Sequence, residues 1–151
     1  MNNVLYLGSK SKTRHQLLQE AQIDFRVVDQ DADESECEVF LSMQKTVEAI
    51  ALYKMQHVIL PVGKQRGDIC FVLTADTLTQ HPDGSLGGKP KNRAEAVQLI
   101  KLKTGIMRGG SAFCLDKRVW ATIPGKLSKE YKGMHKPNMN FICRINGSIF
   151  I

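Results

Sequence analysis

The run Ile69-Cys70-Phe71-Val72-Leu73 is apolar at every position, and the stretch before it, Pro61 to Gly67, is rich in turn residues. Consecutive apolar residues bounded by turn formers describe a strand buried inside a sheet rather than one with a wet face. Such a strand needs other layers to cover it, which confines the chain to a domain with helices packed on a sheet. The run leads into Ala75-Asp76-Thr77, so Asp76 is expected at the strand's end, on the rim where open α/β sheets hold their ligands. A carboxylate there can equally cap a local turn.

Upstream, Val4-Leu5-Tyr6-Leu7 reads as a first strand, and Gly8 frees the backbone to turn. The segment Ser9-Lys10-Ser11-Lys12-Thr13-Arg14 follows, with Ser9 or Ser11 as N-cap of a helix whose apolar face is Leu17, Leu18 and Ala21. A strand that delivers a helix N-terminus makes a phosphate-binding corner, where free backbone N–H groups, two hydroxyls and the Arg14 guanidinium all donate to oxygen. Phe25 to Val28 reads as a second strand, and most of the acidic stretch from Asp29 to Glu38 is expected to face water. From Glu38 to about His57, the spacing of Phe40, Met43, Val47, Ile50 and Val58 predicts a long helix. Lys54 interrupts its apolar face, so its ammonium either snorkels to solvent or meets an anion.

Beyond the central strand, His81-Pro82-Asp83-Gly84 is a turn signal and Gly87-Gly88-Lys89-Pro90 a glycine pair beside a point charge. It is not a Walker A loop, because Gly84 to Lys89 is one residue short and Pro90 stands where a magnesium-binding hydroxyl belongs. Asn92 and Glu95 predict a capped helix with Ala96, Leu99, Ile100 and Leu102 on its buried side, stopped by Gly105. Ser111 to Leu115 reads as another buried strand, with Val119-Trp120-Ala121 as its hairpin partner. Strands alternating with helices make the fold class α/β.

The 151 residues suit one domain, 1–151, and 42% apolar with 24% charged residues is ordinary for a globular protein. Charge is unevenly spread: residues 117–151 hold 7 Lys and Arg against 1 acidic residue, which carries the whole net charge of +6. This basic tail, poor in apolar residues from Pro124 to Asn140, is expected to be loosely ordered. It lacks regular aromatic interleaving, so nucleic acid is not the expected partner. No apolar run approaches the roughly 18 residues that span a bilayer, and no signal-like segment opens the chain, so the expected compartment is the cytoplasm, with no membrane partner. Cys37, Cys70, Cys114 and Cys143, and the histidines His15, His57, His81 and His135, lack metal-ligand spacing, so reduced thiols and no zinc site are expected.

The separate signals are chemically complementary. Hydroxyls and Arg14, acidic Glu34, Lys54, Asp76 and Lys89, with glycines at the approach, describe a triphosphate site in which carboxylates hold a hard divalent cation and cations cradle phosphate oxygens.

In order and spacing these motifs resemble the Maf family of nucleoside triphosphate pyrophosphatases, or septum formation inhibitor proteins. Leu7-Gly8-Ser9-Lys10-Ser11 through Arg14 is similar to the family's S-x-S and arginine opening, Asp31-Ala32-Asp33-Glu34 to its D-x-D-E loop, and Ala51 to Met55 to its helix with an inward lysine. Thr74-Ala75-Asp76-Thr77 resembles its A-D-T signature, and Gly88-Lys89-Pro90 with Arg93-Ala94-Glu95-Ala96 its G-K-P and E-A helix. The resemblance covers about residues 3–120. It implies a mixed sheet flanked by helices, a two-lobed, ITPase-like architecture with a cleft, often homodimeric, and cleavage of nucleotides between the α and β phosphates with magnesium or manganese. By that likeness Asp76 is the catalytic base, Glu34 and Asp76 hold the metal, Lys54 and Lys89 assist catalysis on the phosphates, and Ser9, Ser11, Thr13, Arg14 and Thr77 bind substrate. The implied role is housecleaning of nucleotide pools.

Two departures stand beside the matches. Thr13 occupies a position where relatives carry arginine or tryptophan, whereas Thr77 favours the branch that accepts pyrimidine nucleotides. After about Trp120 the family's helix and Tyr…Gln-Gly motif have no counterpart, and Phe141-Ile142 with Ile145-Asn146-Gly147-Ser148 is only a faint echo of its later stretch. Residues 121–151 are therefore expected to be a divergent or truncated tail. The alternatives are a catalytically inactive nucleotide-binding or septation-regulating relative and a nucleic-acid-binding module using the tail.

Overall fold

A computed structural model describes residues 4–40, 42–61, 69–87, 90–102, 106–119 and 144–150. Among these residues six strands form one mixed sheet: β1 (Val4–Leu7), β2 (Phe25–Val27), β3 (Ile69–Gln80), β4 (Leu86–Gly87), β5 (Ile106–Val119) and β6 (Arg144–Phe150). Their order is β2-β1-β3-β5-β6, with β4 paired to β3. The helices are α1 (Lys12–Glu20), α2 (Met43–Gln56) and α3 (Arg93–Leu102), with a short 3-10 turn at Glu34–Glu36. The expected α/β class and mixed sheet are what the structure has. β1 runs parallel to β2 and β3, while β4 and β5 run antiparallel to β3, as β6 does to β5.

β3 differs from its expectation in length and pattern. It runs unbroken through Asp76 to Gln80, and its buried residues alternate: Cys70, Val72, Thr74 and Asp76 share the better-buried face. That face packs on α2, because side chains two apart point to the same side of a strand. The core follows directly, with Tyr6, Met55, Leu60, Cys70, Val72 and Cys114 in one cluster and Val47, Ala51 and Ala112 in a second.

Other boundaries moved for identifiable reasons. α2 begins at Met43 rather than Glu38, because the Thr46 hydroxyl bonds both the N–H and the C=O of Phe40 and holds the chain before the helix as a loop. Val58 lies outside α2 and bridges to Gln30. α1 forms where expected but ends at Glu20, with Ala21 as its C-cap, and buries no residue; Leu17 stays 59% exposed. Gln22, at φ 56°, ends it in a left-handed turn with Gln22 N–H on Gln19 O and Ile23 N–H on Leu18 O. Asn92 and Glu95 cap α3 as expected, through Glu95 N–H on Asn92 Oδ1 at 2.9 Å and Lys91 N–H on Glu95 Oε2 at 2.6 Å. Its apolar side is open, however, with Ile100 at 65% exposure.

Val119 is the last residue of β5 rather than part of a hairpin partner, since β5 continues past Leu115 along the whole of β3. The partner on its far side is β6, which places residues 144–150 of the basic tail inside the sheet. The expected turn region up to Gly67, Gly105, Lys89, Cys143 and residues 120–143, with the loosely ordered segment from Pro124, lie outside the described residues. Among the described residues no helix is long and apolar enough to cross a membrane.

Gly8 sets how closely the first turn can approach the sheet. Its N–H donates to Leu73 O at 2.9 Å, and a Cβ there would meet Val58 Cγ2 at 2.9 Å and Thr74 Cγ2 at 3.0 Å. Both neighbours are β-branched and stiff. Gly8→Ala is expected to lower stability by about 1–3 kcal/mol; a urea midpoint equal to that of the parent chain would refute the close approach.

Candidate active site

The site forms where β1 stops and β3 does not. β1 pairs with β3 as far as Leu7 opposite Leu73; beyond that point β3 continues beside β5, and β4 joins it only at Thr79 and Gln80. Asp76 lies three residues past the end of that pairing, on the α2 face, 8% exposed. Two residues earlier on the same face, the Thr74 hydroxyl donates to Ala51 O at 2.8 Å and ties β3 to α2 one turn before Lys54. The next turn of the helix carries the Lys54 ammonium to Asp76 Oδ1, at 2.7 Å. The same nitrogen is 2.7 Å from Glu34 Oε1. Of the two readings of Lys54, the anion is the one realised. With its side chain only 9% exposed, it is a buried charge that must be paired.

Glu34 reaches Lys54 because the loop before α2 is held in shape. Asp33 caps the 3-10 turn, accepting from Ser35 N–H at 3.0 Å and Ser35 Oγ–H at 2.6 Å, and these bonds hold its carboxyl below the ordinary value. At the turn's end Glu36 accepts from the Tyr53 hydroxyl at 3.0 Å, which pushes that phenol up. Neighbouring α2 residues, Tyr53 and Lys54, thus each hold one acidic residue of the same turn. Most of the acidic stretch does face water, but Glu34 spends its charge inward.

The corner expected to bind phosphate has a different arrangement from the expected one. Ser11 is the N-cap of α1, yet its hydroxyl makes no capping bond; instead Ser11 N–H points to Ser9 Oγ at 3.3 Å. Ser9, buried, also accepts from Arg14 Nη1 at 3.0 Å, and its carbonyl contacts His15 Nε2 at 2.8 Å. The second Arg14 nitrogen donates to Thr77 Oγ1 at 3.3 Å. Burial pulls the Arg14 guanidinium below its ordinary value, while Asp76 and Glu34 oppose that pull. Arg14 therefore spans from the β1–α1 corner to the strand that carries Asp76, with both carboxylates in electrostatic reach.

The structure brings together Ser9, Arg14, Glu34, Lys54, Asp76 and Thr77. Ser11 contributes its N–H rather than its hydroxyl, Thr13 is exposed on the first turn of α1, and Lys89 lies outside the described residues. One participant escaped sequence reasoning. Ser111 lies opposite Thr77 in the β3–β5 register, with hydroxyl oxygens 2.8 Å apart, so it orients the group that receives Arg14. The pairing of two strands more than thirty residues apart was the only signal for it. Cys37 is half-buried, and its thiol is pushed up first by burial and then by Asp76 and Glu34.

Asp76 and Glu34 can together hold a hard cation through oxygen, in the company of waters and a ligand's own oxygens. Among the described residues no three His, Cys, Asp or Glu side chains converge into a closed metal cage. Arg14, Lys54 and Ser9 can donate to anionic oxygens, and Asp76 can accept a proton or align a water.

The model of the Maf-like protein family matches residues 4–123, which contain every residue of this cluster. The chain belongs to the Maf-like protein family. A dTTP/UTP pyrophosphatase of Acholeplasma laidlawii is 35% identical over 99 residues, 66% of this chain and 49% of that protein. Its counterpart in Fusobacterium nucleatum is 31% identical over 67% of this chain and 48% of its own length. A nucleoside triphosphate pyrophosphatase of Chlamydia pneumoniae is 28% identical over 67% of this chain and 50% of its own length. This Maf-like chain thus spans about half the length of the curated relatives it matches. Among solved structures, a HAM1 protein from Coxiella burnetii aligns over 97% of this chain and 71% of that one, with a TM-score of 0.49 and 13% identity.

Two measurements probe this arrangement. Thr74→Val removes the tie between β3 and α2 in a buried setting and is expected to cost about 1 kcal/mol in urea denaturation; no loss would mean that the bond contributes nothing net. Burial also pushes the Cys70 and Cys114 thiols up, and both are at most 5% exposed. Iodoacetamide on the native chain at pH 8 should therefore modify Cys37 ahead of Cys70 and Cys114, as read by peptide mass mapping.

Proposed function

We propose that this Maf-like chain carries the phosphate and metal machinery of a nucleoside triphosphate pyrophosphatase, a hydrolase that splits a nucleotide between its α and β phosphates. The observation that carries the reading is the buried pairing of Lys54 with Asp76 and Glu34, flanked by the Arg14–Ser9–Thr77 set. It joins two carboxylates to two cations in the manner phosphoryl-transfer chemistry requires.

In this reading Ser9, Ser11 N–H and Arg14 grip phosphate oxygens at the N-terminus of α1. Lys54 moves its ammonium onto the phosphates as the carboxylates find other partners. Asp76 aligns a water and takes its proton as the water oxygen bonds to the α phosphorus. The bond from that phosphorus to the bridging oxygen breaks, and the electron pair leaves with pyrophosphate, giving a nucleoside monophosphate. Lys54 and Arg14 offset the charge gathering on the leaving group. Glu34 and Asp76 fit a divalent ion by the chemistry of their oxygens; when bound, magnesium or manganese would polarise phosphate oxygens and neutralise their charge.

The relatives' names and Thr77 support pyrimidine nucleotides as the substrate class; in this reading the role is housecleaning of the nucleotide pool. A second reading, a nucleotide-binding relative without turnover, is favoured by one observation: the family match ends at residue 123, and the sequence after it carries no counterpart of the family's Tyr…Gln-Gly motif.

Purified chain with magnesium or manganese and a panel of nucleoside triphosphates, analysed by anion-exchange chromatography, separates the two. Monophosphate and pyrophosphate are expected, with dTTP and UTP among the best substrates. Asp76→Asn should reduce the rate by at least about 100-fold. Nucleotide binding without any product from a folded chain would establish the second reading instead.

A further inference from the structure

We infer that Lys54 is an internal cation that keeps the Glu34–Asp76 pair closed to a free divalent ion, so that the site accepts metal only together with a triphosphate. The inference rests on the functional reading above and concerns the order in which that site fills.

Three observations carry it. The Lys54 nitrogen lies 2.7 Å from an oxygen of each carboxylate, in the space that a cation held by both would need. The cluster is balanced, with Lys54 and Arg14 against Glu34 and Asp76, so a free divalent ion meets no net negative charge there. Finally, among the described residues no third carboxylate, histidine or cysteine converges on the pair. Magnesium and manganese dehydrate reluctantly, and two carboxylates complete their shell only when substrate phosphates and waters supply the rest.

The ammonium is also not free to leave. Its side chain is 9% exposed, so a free metal ion entering between the carboxylates would strand a buried positive charge beside a second one. A triphosphate removes both obstacles at once, because its oxygens give the ammonium a new partner and bring negative charge that offsets the incoming metal. Lys54 passes from carboxylate to phosphate while the metal takes its former place. The same side chain thus excludes the bare ion and later binds the substrate.

The test is manganese binding to the full chain without nucleotide, followed by electron paramagnetic resonance of the free ion. The parent chain should bind manganese weakly, and addition of an α,β-methylene triphosphate analogue should bring tight binding. Lys54→Met, which keeps the buried stem and removes the charge, should bind manganese alone at least about tenfold more tightly than the parent. Lys54→Arg should show no such gain, and Glu34→Gln added to Lys54→Met should abolish it, which assigns the ion to this pair. Equal manganese affinity of parent and Lys54→Met would overturn the inference. So would tight binding by the parent without analogue, a result that holds even if the methionine variant does not fold by circular dichroism. Product formation by the parent is measured separately, so the hydrolase reading can stand while the gate falls.

Discussion

A buried ammonium between two carboxylates organises this protein. Lys54 cannot be left unpaired in a position 7% exposed, because desolvating a lone charge costs far more than a single contact returns. Its neighbours are consequently constrained. Asp76 must lie on the α2 face of β3, and a slip of one residue in register would turn it to the opposite side. The acidic loop must fold back against the last turn of α2, which it does through Glu34 on Lys54 and Glu36 on Tyr53. Glu34, with its side chain 54% exposed, contributes less to stability than Asp76, since solvent screens its half of the arrangement.

The scaffold supports this cluster through a change of partner along one strand. β3 is flanked by parallel β1 in its first half, while antiparallel β5 runs beside its whole length. Where β1 ends, its backbone turns at Gly8 into Ser9 and α1, and until β4 joins at Thr79 the space beside β3 is taken by side chains rather than by a strand. Arg14 crosses that space from Ser9 to Thr77, and Ser111 holds Thr77 from the other side. Backbone pairing thereby sets the distance between the cationic corner and the carboxylates. The segment that the Maf-like family model matches is the one that builds this site.

Much of this was legible in residue order. The strand at Val4–Leu7, the helix after Gly8 and the capped α3 followed from local chemistry, since turns and caps depend on residues a few positions apart. The breaks in expectation came from contacts made at a distance or by unusual backbone. Thr46 held Phe40 out of α2, and Gln22 ended α1 in a conformation more typical of glycine. Val119 joined β5 because β3 offered it a partner at Ile69. Leu17 and Ile100 have helical spacing but remain exposed, because amphipathic periodicity states which face seeks a partner and not whether one is present.

By itself the sequence determined the α/β class, the family and the inventory of charged groups, since these depend on pattern and on residue identity. It also marked Lys54 as an anomaly on an apolar face. Only the tertiary structure decided what that anomaly meant. Whether an ammonium snorkels or pairs depends on which carboxylates arrive beside it, and Asp76 and Glu34 come from either side of Lys54 in the chain, one on a strand and one on a turn. Ser111 entered the site for the same reason. Proximity across a sheet is a property of register and packing, and neither leaves a mark at short range in the chain.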